Sequence, residues 1–96
     1  MELGGVTLNV KDLEAAKAFY AKLPGSELIR DEPDIASFSF GQARVSPKLA
    51  DEPGFHLEME SSDLDQVRNS TNIDEDKGDK VFVSDPDGHR IEVEKE

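Results

Sequence analysis

The chain has 96 residues, of which 35% are hydrophobic and 34% charged, and its formal net charge is −11 at pH 7. That length holds one domain of usual size, and such acidity excludes a nucleic acid or an anionic membrane surface as partner. There is no cysteine, which excludes disulfides, a thiol nucleophile, iron–sulfur clusters and Cys-type zinc sites; any metal falls to carboxylates and the two histidines, His56 and His89. Leu, Ile, Val and Phe together number 24, a quarter of the chain and above the roughly 20% below which so charged a sequence stays disordered. No apolar run approaches the ~20 residues of a membrane span, and the opening residues lack the basic and apolar regions of a signal peptide. The expectation is a folded, cytoplasmic protein.

The charge is uneven. Residues 1–50 carry 7 acidic and 6 basic side chains, net −1, and residues 51–96 carry 15 acidic and 5 basic, net −10. The second half is thereby suited to attract cations, whether metal ions or amines.

Along the chain, Val6, Leu8 and Val10 alternate with Thr7 and Asn9, the period-two pattern of a strand with one apolar face. Asp12 stands at an N-cap position, and 13–20 is rich in helix formers, with Leu13, Ala16, Phe19 and Tyr20 on one face. Pro24 and Gly25 end that helix, and strands are predicted over 27–30, 35–40 and 42–46. Residues 48–54 read as a connector, after which the order restarts. Phe55, Leu57 and Met59 alternate with His56, Glu58 and Glu60, and Asp63 caps a second helix. A shift of 51 residues places Val6 on Leu57, Leu8 on Met59, Asp12 on Asp63 and Leu13 on Leu64, which reads as an internal repeat. Residues 72–79 read as mostly loop. Strands over 80–84 and 90–94 flank a tight turn at 85–88, in which Asp85 and Asp87 are turn formers whose carboxylates bond nearby amides. His89 follows the turn glycine and is expected to be exposed. The spacing of Asp74, Asp76 and Gly78 fails the calcium-loop pattern, and phosphate-binding and dinucleotide glycine motifs are absent.

Two β-α-β-β-β units, the opening Val6-Thr7-Leu8-Asn9-Val10-Lys11-Asp12-Leu13 followed by 16–20, and the closing Phe82-Val83-Ser84-Asp85-Pro86-Asp87-Gly88-His89-Arg90-Ile91-Glu92 together resemble the vicinal oxygen chelate superfamily. That group includes glyoxalase I, bleomycin-resistance proteins, fosfomycin-resistance enzymes and extradiol dioxygenases. The resemblance implies an α+β domain spanning 1–96. Its βαβββ modules, at 1–47 and 54–96, would form a curved mixed sheet with helices on the outer face and a shared cavity. It also implies a homodimer.

By position, the resemblance makes His56 and Glu92 the metal ligands of the second module. The residues agree: His56, Glu58 and Glu60 share one strand face, and Arg90, Glu92 and Glu94 share another. In the first module the corresponding positions hold Gly5 and Ser46, and neither Gly5 nor the adjacent Gly4 can ligate through a side chain. Thr7, Asn9, Ser46, Glu58, Phe82 and Arg90 are expected to line the ligand cavity. With two evident ligands, the expected function is metal-independent binding of a cationic or aromatic small molecule in an acidic cavity, as in bleomycin-resistance proteins, with no tightly held cofactor. Glu58 or a dimer partner is the source of any missing oxygen. The alternatives are a metal-dependent glyoxalase- or dioxygenase-like enzyme using His56 and Glu92, with a divalent ion as cofactor, and a non-catalytic interaction module.

Overall fold

The order of elements in the computed structural model, which describes residues 1–96, is β-α-β-β-β followed by a second β-α-β-β-β. Strand β1 is Glu2–Val10, helix α1 Leu13–Ala21, and strands β2, β3 and β4 are Ser26–Asp31, Ala36–Phe40 and Ala43–Leu49. Then come β5, Phe55–Ser61; α2, Leu64–Ser70; and β6, β7 and β8 at Glu75–Asp76, Lys80–Ser84 and Arg90–Lys95. The class is α+β, as expected. Two compact units emerge, one of Gly5–Phe55 and the other of His56–Glu96 with Met1–Gly4.

In the first unit the strand order is β2-β3-β4-β1. The β2–β3 and β3–β4 pairs are antiparallel and β4 runs parallel to β1. Helix α1 lies against β2, β3 and β4 and closes a core of Leu13, Ala36 and Phe38, with Val10, Tyr20 and Phe40 around it. In the second unit the order is β5-β8-β7-β6, again with one parallel pair, β5–β8, and two antiparallel ones. Helix α2 lies against β7 and β8, over Leu64, Val81 and Val93 with Val67, Ile73 and Ile91 packed beside them.

The repeat read at a shift of 51 residues is reproduced at the helix starts. The Asp12 carboxylate accepts the Ala15 N–H at 3.0 Å, and the Asp63 carboxylate accepts the Gln66 N–H at 3.1 Å. Each satisfies one of the amides that the first turn of a helix leaves without a partner. Leu13 and Leu64, the first residues of the two helices, are both 6% exposed.

Three boundaries differ from the sequence reading. Strand β4 does not stop at 46 but runs to Leu49, through Pro47, in register with Leu8–Val10 of β1. Pro47, which has no N–H to give, falls between the Phe38↔Val45 end of the β3–β4 ladder and an isolated Ile35↔Lys48 bridge, where no ladder bond is asked of it. The connector is correspondingly shorter. Residues 72–79 are mostly loop, as read, but contain an unanticipated two-residue strand, Glu75 and Asp76 pairing with Phe82 and Val81. Strand β1 begins at Glu2, four residues before the predicted start.

Candidate metal and ligand site

In the second unit, residues directly opposite across a ladder point to the same face. Leu57, Met59, Ile91, Val93, Val81 and Val83 lie in mutual register on the face that α2 covers. The other face carries His56↔Arg90, Glu58↔Glu92, Phe82↔Glu92 and Ser84↔Arg90. Period-two alternation thus sends every polar candidate of this half to one side and the core to the other.

On that polar face, donor atoms of His56, Glu58 and Glu92 all lie within 4.8 Å of one another, and all three side chains are half-buried. The His56 Nε2 to Glu92 Oε2 separation is 3.7 Å, and Lys80 Nζ sits 3.1 Å from the other oxygen, Oε1. The His56 ring beside it and the Lys80 ammonium favour the charged carboxylate, and hold the Glu92 pKa down to about 2 against the burial that raises it. The same pairing raises the Lys80 pKa. Glu92 is therefore an anion throughout the neutral range, and Lys80 fixes one of its oxygens while the other faces the imidazole.

The residues fit a divalent ion. Ligands about 2.0–2.2 Å from a tetrahedral centre lie roughly 3.3–3.6 Å from each other, close to the His56–Glu92 separation. One imidazole with two carboxylates is a donor set that Zn, Mn, Fe(II) or Ni accepts.

Next to this cluster, Phe82 is 8% exposed, with the His56 ring edge-on at 6.2 Å between centroids and the Arg90 guanidinium 4.2 Å from its ring centre. Arg90 is held by Glu75 at 3.0 Å, and Lys77 lies 3.6 Å from Glu75 and 5.8 Å from the Phe82 ring centre. The face is consequently of mixed charge.

The first-unit candidates are built differently. Thr7 and Ser46 are 4% and 3% exposed and are register partners. The Ser46 hydroxyl shares a buried hydrogen bond of 2.7 Å with that of Ser37. The Asn9 N–H donates to the Gly54 carbonyl at 2.9 Å. Gly5, in the place of His56, lies against its register partner Arg44 so closely that a Cβ would stand 2.2 Å from the Arg44 carbonyl oxygen. No side chain enters there without moving backbone.

His89 is exposed, and its Nδ1 lies 2.8 Å from the Asp85 carboxylate. That carboxylate also accepts the Asp87 and His89 N–H groups, the turn chemistry expected of Asp85; Asp87 contributes its amide to the same network.

Lys80, Lys77 and Glu75 were not among the sequence candidates. Lys80 alternates with Phe82 and Ser84, which places it on the polar face. Counting back across the 85–89 turn would have set it near Glu92.

No family model matches the chain, and no curated protein matches it. Among solved structures, a glyoxalase/bleomycin resistance protein/dioxygenase superfamily member from Vibrio splendidus superposes with a TM-score of 0.71 at 14% identity, over 95% of this chain and 96% of that one. Methylmalonyl-CoA epimerase from Mycobacterium tuberculosis gives 0.72 at 20% identity, over 98% and 87%. The Mn(II)-bound glyoxalase from Novosphingobium aromaticivorans gives 0.68 at 22%, over 98% of this chain and 38% of that one. The fold is that of the vicinal oxygen chelate superfamily, as the sequence resemblance implied.

Proposed function

We propose that the chain binds one divalent metal ion through His56, Glu58 and Glu92 and uses it to hold a small oxygen-bearing molecule on the polar face of the second unit. The observation that carries this reading is the convergence of three donors within 4.8 Å. The metal-free expectation rested on two evident ligands; Glu58, register partner of Glu92, is a third. A bound ion supplies Lewis acidity, polarising a ligand oxygen. The protein's own part is positional: Lys80 orients Glu92, and Arg90, stacked on the buried Phe82 ring, provides a cationic wall for the organic part of the molecule. The Mn(II)-bound state of the Novosphingobium glyoxalase, which shares the fold, agrees with this reading.

A second reading, metal-free capture of a cationic or aromatic molecule, is favoured by the net charge of −10 that residues 51–96 carry. Calorimetric titration of the metal-stripped protein with Mn²⁺ and with Zn²⁺ separates the two. We expect about one equivalent of metal, with affinity lost in His56→Ala and reduced at least tenfold in Glu58→Gln and Glu92→Gln. Absence of binding, or binding untouched by all three substitutions, would leave only the metal-free reading.

A further inference from the structure

Strand β2 ends the sheet order of the first unit, so one of its edges is not paired by β3. Such an edge is ordinarily blunted by charge or by a bulge, and β2 has both. Its register with β3 runs Glu27↔Ser39 and Leu28↔Phe38, then shifts by one to Arg30↔Ser37 and Asp31↔Ala36, leaving Ile29 as the extra residue.

The shift changes which side chains share a face. Ser37 and Ser39 are two apart on a regular strand and point the same way, so their partners Arg30 and Glu27 do too. In an unbulged strand, residues 27 and 30 would point to opposite faces.

This matters for symmetry. Two copies of a strand that pair antiparallel do so about a two-fold axis perpendicular to the sheet, which matches only residues on the same face. Without the bulge, the partners open to Glu27 within the strand are residues 27, 29 and 31, which set its carboxylate against its own copy, against an apolar side chain or against Asp31. With the bulge, 27 matches 30. The six residues Ser26–Asp31 then meet their own reverse as Ser26 with Asp31, Glu27 with Arg30 and Leu28 with Ile29. Every Glu27 faces an Arg30, twice per pair, and an apolar pair lies at the axis. Leu28 and Ile29 are 49% and 50% exposed, so apolar surface is there to be covered. The bulge that would deter a foreign strand makes this edge complementary to itself.

We propose that a second copy of this chain docks along β2, antiparallel and two-fold symmetric, with reciprocal Glu27–Arg30 pairs. The homodimer expected from the sequence thereby acquires a surface, and this inference is independent of the metal site. In each pair Arg30 lies between the partner's Glu27 and Glu32 of its own chain, to which it is already bonded.

Sedimentation equilibrium up to about 0.5 mM, with circular dichroism to verify folding, tests it. The wild type is expected to reach twice the 10.6 kDa chain mass. Glu27→Arg alone and Arg30→Glu alone each set like charges opposite one another, and should weaken dimerisation at least tenfold. An equimolar mixture of the two single variants should restore dimers, because every opposed pair is again of opposite sign; the double variant Glu27→Arg/Arg30→Glu should do the same. A wild type that stays monomeric to 0.5 mM would overturn the proposal. So would single variants that dimerise as well as the wild type, or a mixture that gains nothing over its components.

Discussion

Glu92 is the residue at which stability and chemistry meet. Its carboxyl, held down to about 2 by His56 and Lys80, ionises more readily in the fold than in an unfolded chain. The stabilisation from that ionisation is full above about pH 4.5 and is lost as pH falls toward 2. Thermal unfolding should therefore separate wild type from Glu92→Gln near neutrality by about 1 kcal/mol, roughly 4–8 °C for a domain of this size. The gap should close as pH approaches 2–3; a constant gap across that window would mean that packing and not charge holds Glu92. The position of Glu92 was legible in the sequence, because alternation with Ile91 and Val93 fixes its face. The grip of Lys80 on it was not read, since that depends on pairing across the turn at Asp85. At Gly5, the vacancy in the donor pattern was legible but its cause was not: the Arg44 carbonyl lies where a side chain would begin.

At the scale of elements, the two helices start by the same device in both halves, Asp12 on Ala15 and Asp63 on Gln66. Each of Asp12→Ala and Asp63→Ala should cost about 1 kcal/mol, measurable as a shift in the urea midpoint with unchanged slope. A shift in only one variant would show that the repeat is not energetically equivalent. Helix α2 has a further anchor, since Arg68 reaches Asp65, both oxygens of Asp76 and the Gly78 carbonyl, tying the helix to β6 and the turn that follows. The caps and the strand alternation were visible because they are local. Passage of β4 through Pro47, the two-residue β6 and the bulge at Ile29 were not, because each depends on what a neighbouring strand asks of the backbone. A proline reads as a strand end unless the partner ladder leaves a gap for it, and a bulge residue carries no mark in composition.

At the scale of the molecule, one sequence pattern used twice yields two units of the same build and different chemistry. In Gly5–Phe55 the positions that resemble ligand sites hold a glycine against backbone and a serine bonded to Ser37. In the unit containing His56–Glu96 they hold an imidazole and carboxylates that converge. The shared fold explains the frame, and the asymmetry of side chains is why the proposed metal site falls in one half of it. The most direct measurement is a crystal soaked in Mn²⁺ and recorded with anomalous scattering. One anomalous peak is expected between His56 Nε2 and the carboxylates of Glu58 and Glu92, absent in His56→Ala crystals. No peak at that position, or one bound elsewhere with these three side chains unengaged, would contradict it.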